Sequence, residues 1–593
     1  MFKLKITSFL LKRLEGIQQE LTGCLFGVFY DSTITVFGMN VETTIGKLNY
    51  NEISLKFPAE MDLIGLVKFG DCFDEQNIGE ILKDCEITDN PILLHCNLGS
   101  IIGMKSSIFV HGKLESIPFE VMEPTDIYNE FCFSRVCCNF NIYTEETIDS
   151  IKSNIQTLRK DIAANGALAF KLNKTSFFLT GTISENNKKY SKNAEYIENL
   201  ITIVDQAKGG GEPKNKKNKA TPPSDYEVLE ISVLKNISTD YTNPDNDQVT
   251  FPALATCIRK SDVNSKIPLN VDAMAILYKK TKVSGLYDIL IESVCRALRL
   301  VEQSLIEQLY DNMEISIPIT YHFSPPAFGH FLSCVYLQNI SDNEQAMQQK
   351  RKKLHHHFGL PITKPYFRRQ NRVMFKCDIK YDSPLMNTHL GVKPSGVKDG
   401  KQYLVQGNYY YYHYMQQNVN DNGWGCAYRS LQTLCSWFNL QGYTSTPVPT
   451  HEDIQRYLVN IEDKPKTFIN SKQWIGSTEV SMCLNGFLNV NSKIMHVSSG
   501  GDLSSKGSEL ALHFETQGTP IMIGGGVLAH TIIGIDFNSE KGDLKFLILD
   551  PHYTESEDLN VIQGKGWCGW KSTDFWDKKS YYNLCMPQRP IVY

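Results

Sequence analysis

The chain has 593 residues and a formal net charge of −5, with 42% apolar and 21% charged residues. A single hydrophobic core stops growing at about 250–300 residues, so we expect several domains. The slightly acidic balance excludes a protein built mainly to bind nucleic acid, which needs concentrated Lys and Arg.

Residues 1–206 are predicted to form an N-terminal α/β domain. Strand-like runs span 23–38, 63–68 and 107–110. One amphipathic helix follows, with apolar residues at spacings of three and four: Ile148, Ile151, Ile155, Leu158 and Ile162. A sheet with flanking helices is the expected result.

Residues 207–224 are predicted to be a flexible linker. Glycine, proline and repeated lysine leave no apolar surface to offset the entropy of ordering. Residues 225–394 are predicted to form the second part of the N-terminal region, with an α+β structure. It includes a long helix that Ser284 can cap. His355, His356 and His357 are adjacent and have no matching ligands nearby in sequence, so we interpret them as a surface cluster rather than a zinc site.

A cysteine at a predicted helix start is the first chemical signal in residues 395–593. Asp421-Asn-Gly-Trp-Gly is typical of a turn, and the apolar pattern after Cys426 is helical. At a helix amino terminus, the macrodipole and unpaired N–H groups stabilise a thiolate. We therefore predict that Cys426 is a nucleophile, the alternative being a small buried apolar residue.

A carboxylate and an imidazole follow a predicted buried strand at 545–549. Asp550 and His552 are two residues apart, so on extended backbone they face the same way and the carboxylate can orient the imidazole as a base. His530 competes for this role. It lies in the run 521–535, which we read as one buried strand, and papain-like enzymes usually place His before Asp. The spacing alone leaves both histidines open as the base.

A run of phenols lies just before the nucleophile turn, at Tyr409-Tyr-Tyr-Tyr-His-Tyr414. A tyrosine O–H aimed at developing negative charge can supply an oxyanion contact. The alternative is a strand of aromatic residues with alternate side chains buried.

Seven motifs taken together resemble the ubiquitin-fold modifier 1-specific proteases, in particular their long type 2 form, from about residue 360 to the end. They are Tyr414-Met-Gln, the run N-G-W-G-C-A-Y-R-S-L-Q-T at 422–433, Gln473-Trp-Ile-Gly-Ser477, the run 518–530, Asp550-Pro-His-Tyr553, Gly566-Trp-Cys-Gly-Trp570 and Tyr582-Asn-Leu-Cys-Met-Pro-Gln588.

The resemblance implies a papain-like cysteine protease domain at 395–593 in an α+β chain. Cys426 would be the nucleophile, His552 the general base, Asp550 its orienting carboxylate and Tyr414 the oxyanion donor. His530 would then be a strand residue that lines the site. No metal and no cofactor are expected.

A narrow channel for a glycine-ended tail is also expected at the site. Small residues there can let backbone approach backbone, and tryptophans can form its walls. The residues that we assign to this channel are Trp424, Gly425, Trp474, Gly525 and His530.

The resemblance further implies that the enzyme trims the modifier precursor to expose its terminal glycine and releases the modifier from lysines of conjugates. Three different functions stay open: a catalytically silent scaffold that binds the modifier, a protease for a different ubiquitin-like protein, and a transglutaminase-like acyl transferase.

For the N-terminal region, the resemblance implies a metal-free MPN-like fold. The zinc motif H-x-H-P is absent, since Phe358 follows the histidine cluster where the motif needs proline. In the family, this extension binds an adaptor in the endoplasmic-reticulum membrane. Sixteen cysteines without a C-x-x-C pair are typical of reduced thiols. We therefore expect a cytoplasmic protein, held at the cytosolic face of that membrane only through a partner.

Overall fold

The computed structural model describes residues 2–42, 50–70, 90–164, 167–181, 194–209, 227–235, 265–311, 313–362, 364–375, 378 and 384–590. The chain forms two compact units, the first comprising 1–212 and 224–361 and the second comprising 362–593 with 213–223. Most of the predicted linker at 207–224 lies outside the described residues.

The first unit contains an eight-stranded mixed sheet. Its strands are β1 (Lys3–Thr7), β2 (Thr22–Tyr30), β3 (Thr33–Glu42), β4 (Asp62–Phe69), β5 (Ile92–Asn97), β6 (Ser100–Val110), β7 (Lys113–Ser116) and β8 (Phe119–Met122). They lie in the order β7-β6-β5-β4-β2-β3-β1-β8. β1 is parallel to β3 and β8, and β4 is parallel to β5, whereas the other neighbours are antiparallel.

A second sheet in this unit has the order β11-β10-β12-β9-β13. Its strands are β9 (Phe131–Thr144), β10 (Leu168–Leu172), β11 (Phe178–Thr180), β12 (Val228–Lys235) and β13 (Ser265–Tyr278), and a separate hairpin is formed by β14 (Pro318–Phe323) and β15 (Leu332–Leu337). Because β12 and β13 both pair with β9, strands from either side of the predicted linker share one sheet.

The described part of this unit also contains seven helices. They are α1 (Ser8–Glu15), α2 (Tyr50–Ser54), α3 (Pro124–Glu130), α4 (Ile148–Ala163), α5 (Ile197–Gly209), α6 (Leu286–Tyr310) and α7 (Gln345–His357). The predicted amphipathic helix is confirmed as α4, with Ile151, Ile155 and Ile162 buried. The capping role predicted for Ser284 is wrong: Gly285 is the N-cap of α6 and Ser284 lies in a short 3-10 turn.

The run 23–38 is two strands rather than one. Tyr30 pairs with Thr33, and the two residues between them, Asp31 and Ser32, have positive φ values of 48° and 59°. Positive φ at both central residues is what a type I′ turn of a two-residue hairpin requires.

The three adjacent histidines at the end of α7 do not act as one cluster. His355 is buried and its Nδ1 lies 2.9 Å from the carbonyl of Pro361, whereas Nε2 of His357 lies 3.5 Å from Glu42. The surface interpretation is therefore wrong for His355, because successive helical side chains point in different directions. No described helix has the length and apolar character needed to cross a membrane.

The second unit is built on a seven-stranded antiparallel sheet. Its strands are β16 (Lys401–Leu404), β17 (Ser492–Val497), β18 (Ile521–Gly525), β19 (Leu528–Phe537), β20 (Leu544–Leu549), β21 (Cys568–Ser572) and β22 (Tyr582–Pro587). The order is β17-β22-β18-β19-β20-β21, with β16 paired to β19.

Five helices accompany this sheet within residues 384–590: α8 (Cys426–Leu440), α9 (His451–Asn460), α10 (Ser477–Leu488), α11 (Gly507–Thr516) and α12 (Leu559–Gly564). Thirteen of the fifteen residues of α8 are buried, and this helix packs against β18 and β19. A helix buried on all sides is held by tertiary packing, which fixes the position of its first residue.

The run 521–535 is a hairpin rather than the single strand that we predicted. Gly526 has a φ of +57°, and the chain reverses between Gly525 and Leu528. Val527 and Leu528, at this turn, are 66% and 50% exposed. The hairpin carries His530 on β19, whereas the predicted strand at 545–549 is confirmed as β20.

Candidate active site

Cys426 is the first residue of α8 and follows a turn that only glycines fit. Gly423 has a φ of +85°. A Cβ on Gly425 would lie 2.6 Å from the Cβ of Asp421, so the turn can close only without a side chain at 425. The backbone N–H of Gly425 donates to the carbonyl of Asp421 over 2.9 Å. The predicted placement of Cys426 at a helix amino terminus is confirmed.

The imidazole of His552 is held by the carboxylate two residues earlier. Nδ1 of His552 lies 2.6 Å from Oδ1 of Asp550, and the backbone N–H of His552 donates to the same oxygen over 3.0 Å. Two donors on one oxygen fix the orientation of the ring relative to the carboxylate. With Nδ1 bonded to Asp550, Nε2 is the ring nitrogen that can exchange a proton with the sulfur of Cys426.

The thiol of Cys426 and the imidazole of His552 shift each other's pKa in opposite directions. Burial raises the pKa of Cys426, but His552, the backbone N–H of Ala529 and the hydroxyl of Tyr414 together more than offset this, so the net pKa lies below that of an ordinary thiol. Burial lowers the pKa of His552, but Asp550 and Cys426 together raise it to about 9. The site therefore favours a thiolate beside an imidazolium.

Tyr414 places a phenol against the sulfur. The residue is 2% exposed, and its ring lies edge-on to the imidazole of His552 with centroids 5.3 Å apart. Its backbone N–H donates to the carbonyl of Pro551 over 2.9 Å. Burial and the hydrogen bond of its hydroxyl with Cys426 raise its pKa, so the phenol stays protonated and can donate.

The tyrosine run is not the strand of aromatics that we considered. Tyr410 forms an isolated β-bridge with Met386 instead of belonging to a strand. Tyr409, Tyr411 and Tyr412 are all buried in the core, so burial does not alternate along the run. The hydroxyl of Tyr411 donates to the backbone carbonyl of Asp550. The run therefore supports the segment that carries Asp550.

His530 faces the same carboxylate as His552, but less closely. Its Nε2 lies 3.8 Å from Oδ2 of Asp550, and its ring packs on Phe575 and Trp576 with centroids 5.1 and 5.8 Å away. Burial lowers the pKa of His530 to about 4, so it is neutral at pH 7. His530, Asp550 and His552 also bring possible metal-ligand atoms within 4.8 Å of one another.

The two tryptophans assigned to the tail channel, Trp474 and Trp424, both lie at the nucleophile turn. Trp474 is 54% exposed, and its Nε1–H donates to the carbonyl of Gly423 over 3.3 Å, which places it beside the nucleophile turn. Trp424 packs on the rings of Tyr428 and His451.

The two channel glycines face protein atoms. A Cβ on Gly425 would meet Asp421, and a Cβ on Gly525 would lie 2.3 Å from the ring of Tyr582. Close packing within the protein is therefore sufficient to require glycine at both positions. Their contact with a substrate tail stays a prediction.

Two features of the site were missed from the sequence. The backbone N–H of Ala529 lowers the pKa of Cys426 by hydrogen bonding to its sulfur, and a main-chain donor leaves no signal in residue type. The second feature is a buried ionic network of Asp421, Arg429 and His451, with Nε of Arg429 2.5 Å from the Asp421 carboxylate. The sequence signal for this network is Arg429, a charged residue on the helix that begins at Cys426.

This arrangement can perform acyl transfer through sulfur. A thiolate at a helix amino terminus is a nucleophile, an imidazole held by a carboxylate can exchange protons, and a phenol can stabilise an oxyanion. A buried helix that starts with the cysteine and packs on an antiparallel sheet that carries the histidine is the architecture of the papain-like cysteine proteases. That is the class of enzyme that the second unit defines.

Comparison with known proteins agrees with this class. Residues 400–585 match Peptidase family C78. Residues 1–127 match the insect UFM1-specific protease N-terminal MPN-like domain, and residues 152–380 match the N-terminal region of ubiquitin-fold modifier 1 specific protease 2.

Similar whole chains carry related names. A probable Ufm1-specific protease 2 of Drosophila melanogaster is 52% identical over 610 residues, covering 100% of both chains. The mouse Ufm1-specific protease 2 is 46% identical over 450 residues, covering 74% of this chain and 94% of its own. A crystal structure of UfSP from C. elegans has a TM-score of 0.68 at 23% identity, with full coverage of both chains, which shows a shared fold.

The chain therefore belongs to the Ufm1-specific protease 2 family, and it is a cysteine-type peptidase with an MPN-like N-terminal domain.

Proposed function

We propose that this protein cleaves after the terminal glycine of ubiquitin-fold modifier 1, both in its precursor and in conjugates to lysine. The main support is that the thiol of Cys426, the imidazole of His552, the carboxylate of Asp550 and the phenol of Tyr414 lie together in one site. The relatives of this chain are named for the same modifier.

In this mechanism, the thiolate of Cys426 attacks the glycine carbonyl carbon. The hydroxyl of Tyr414 donates to the carbonyl oxygen as negative charge develops there. Nε2–H of His552 protonates the leaving amine, the C–N bond breaks, and a thioester with Cys426 remains. His552 then takes a proton from water, the hydroxide displaces the sulfur, and the modifier leaves with a free glycine carboxylate. Asp550 keeps the imidazole in the tautomer that both steps need.

Specificity for a glycine end is proposed to come from a narrow channel. Trp474 is exposed and hydrogen-bonded to the nucleophile turn, and Trp424 is part of that turn, so both can flank an extended tail. A bulkier residue at the cleaved position would clash with such walls. Equal cleavage of glycine-ended and alanine-ended modifier would contradict the channel.

The decisive experiment is to incubate the full chain with purified precursor and with a lysine-linked conjugate, and to measure the mass of each product. We expect mature modifier from both, and none from the Cys426→Ala variant. Ubiquitin and an autophagy-type modifier, offered in parallel, test for a different substrate.

Two further measurements distinguish a protease from a silent scaffold and from an acyl transferase. A modifier vinyl-sulfone probe should label the wild type stoichiometrically, whereas a silent scaffold would bind it without a covalent bond. A transglutaminase-like enzyme would transfer the modifier to added amine instead of water.

We further propose that the protein acts in the cytoplasm and reaches the cytosolic face of the endoplasmic reticulum through an adaptor that binds its N-terminal region. The match of residues 1–127 to an N-terminal MPN-like domain of related proteases supports a separate role for this region. Cell fractionation with and without residues 1–361 tests the proposal, since membrane association that survives the truncation would contradict it.

A further inference from the structure

We propose that Asp421 is a positioning residue that fixes the Tyr414 hydroxyl relative to the Cys426 sulfur. The inference deepens the proposed function, because it concerns how the oxyanion donor is held beside the nucleophile. Asp421 does not contact the reacting atoms itself.

Asp421 connects the two segments that carry these groups. Its carboxylate Oδ1 accepts a hydrogen bond from the backbone N–H of Met415, the residue after Tyr414, over 2.8 Å. Its backbone carbonyl accepts from the N–H of Gly425, the residue before Cys426, over 2.9 Å. One residue therefore links the neighbour of the phenol to the neighbour of the thiol.

The carboxylate is itself held in place on its other oxygen. Oδ2 accepts from Nε of Arg429 over 2.5 Å and lies 3.0 Å from Nε2 of His451. Asp421 and Arg429 are fully buried, and Arg429 lies on α8 one turn after Cys426. Burial raises the pKa of Asp421, but His451 and Arg429 more than offset this, so the carboxylate is ionised.

The segment after Tyr414 adopts a conformation that needs such external support. Met415, Gln417 and Asn418 have φ values of 63°, 57° and 59°, in the left-handed region that non-glycine residues rarely adopt. Such backbone persists only where surrounding contacts determine it.

Arg429 provides those contacts on the strained segment. Its guanidinium donates to the carbonyl of Gln416 and to Oε1 of Gln417, each over 2.9 Å. The Asp421–Arg429 pair therefore binds the strained segment to the helix that starts at the nucleophile. On its other side, Tyr414 is fixed to the Asp550–His552 segment through Pro551.

A double-mutant cycle tests this role. Asp421→Asn should lower kcat at least about 10-fold while KM changes less than about three-fold, because only the transition-state contact is misplaced. In a Tyr414→Phe background, the same change should alter kcat by less than about two-fold, because the positioned hydroxyl is already gone. An equal loss of kcat in both backgrounds would show that Asp421 acts by another route.

The same cycle can be followed without any modifier substrate. The hydroxyl of Tyr414 lowers the pKa of Cys426, so displacing it should raise the pH midpoint of alkylation of Cys426 by iodoacetamide. Asp421→Asn should raise this midpoint only when Tyr414 is present. This readout stands even if the wild type fails to cleave the modifier, an outcome that would contradict the proposed function alone.

A milder variant covers the case in which Asp421→Asn does not fold. Gln417 is exposed, and Gln417→Asn keeps a residue that tolerates left-handed backbone while shortening the side chain that Arg429 binds. We expect a several-fold loss of kcat that disappears in the Tyr414→Phe background.

Asp536→Asn is the matched control. Its carboxylate is also buried, but it is bonded to the neutral groups of Ser395 and Gln402, remote in sequence from the nucleophile turn. It should leave kcat within about two-fold of the wild type. A loss of kcat as large as that of Asp421→Asn would mean that any buried carboxylate of this unit matters equally, and would overturn the proposal.

Discussion

At the scale of single residues, Asp550 faces two imidazoles with different charge. His552 is bonded to one oxygen at 2.6 Å and has a pKa raised to about 9, whereas His530 lies 3.8 Å from the other and has a pKa lowered to about 4. An imidazole that is already protonated beside a thiolate can protonate a leaving amine, and one that stays neutral cannot.

We therefore expect His552→Ala and Asp550→Asn each to lower kcat at least about 1,000-fold, because they remove the base or its orientation. His530→Ala should cost much less. Steady-state cleavage of the precursor measures all three variants. A larger loss in His530→Ala than in His552→Ala would assign the base to His530.

Removal of one hydroxyl tests the oxyanion contact. Tyr414→Phe should lower kcat by about 100-fold with little change in KM, because the hydrogen bond to the carbonyl oxygen strengthens only as charge develops. Tyr412→Phe is a suitable control, since Tyr412 is buried in the same run and has no contact with the sulfur among those described. A rise in KM without a fall in kcat would make Tyr414 a binding residue.

The pH dependence of kcat/KM should be bell-shaped. As the pH falls below the lowered pKa of Cys426, the thiolate is protonated and the rate falls. As the pH rises through about 9, His552 loses the proton that the leaving amine needs, and the rate falls again. In His552→Ala, the alkylation midpoint of Cys426 should move upward, since the imidazolium no longer stabilises the thiolate; an unchanged midpoint would contradict the ion pair.

At this scale, the residue pattern predicts which chemical groups form the site but not the contacts that hold them in place. Glycines and a helical pattern are enough to place Cys426 at a helix start. Spacing predicts that Asp550 lies beside His552, but a turn at 551–552, closed by the His552 N–H on the Asp550 carboxylate, brings them together rather than the extended backbone that we expected. Residue order leaves His530 and His552 both open as the base, and only the family resemblance favours His552. The distances to Asp550, 2.6 Å from His552 and 3.8 Å from His530, agree with that choice. The partners of Asp421 are likewise set by tertiary packing.

At the scale of elements, the β18–β19 hairpin brings Ala529 and His530 to the site. The sequence indicated buried extended backbone there but not its reversal, because three consecutive glycines do not say which of them takes positive φ. Gly526 does so, while Gly525 lies against Tyr582.

Gly525→Ala should therefore destabilise this hairpin. The added Cβ would lie 2.3 Å from the Tyr582 ring and 2.4 Å from the carbonyl of Tyr581, so we expect a loss of about 1–3 kcal/mol in unfolding free energy, together with lower kcat. Gly524→Ala is the control, because its closest contact is the flexible end of Met522 at 3.2 Å. Differential scanning calorimetry of both variants measures the difference, and equal melting would contradict the close packing.

At the scale of the whole molecule, the second unit begins near residue 362, whereas the sequence placed a domain boundary at 395. Described residues between these positions pack into the protease core. Leu385 is 2% exposed, the N–H of Asn387 donates to the carbonyl of Tyr409, and Gln563 donates to the carbonyl of Thr388. The described residues of this segment contain one 3-10 turn, Arg369–Asn371, and no helix or strand, so periodicity gives no sign of it.

A fragment of residues 362–593 should fold cooperatively and react with a modifier vinyl-sulfone probe. A fragment of residues 395–593 lacks the buried Leu385, so its free energy of unfolding should be lower by about 2–5 kcal/mol or more, the usual cost of losing one buried leucine. Urea unfolding of the two fragments measures the difference, and equal midpoints and slopes would support the boundary at 395.

The exposed turn at Val527 and Leu528 has a consequence for inhibitor design. An electrophilic compound that reacts with Cys426 can extend an apolar substituent over these two side chains, because the backbone N–H of the next residue, Ala529, is hydrogen-bonded to the sulfur. The compound would then gain affinity from the side chains of Val527 and Leu528, which its electrophilic group alone does not contact.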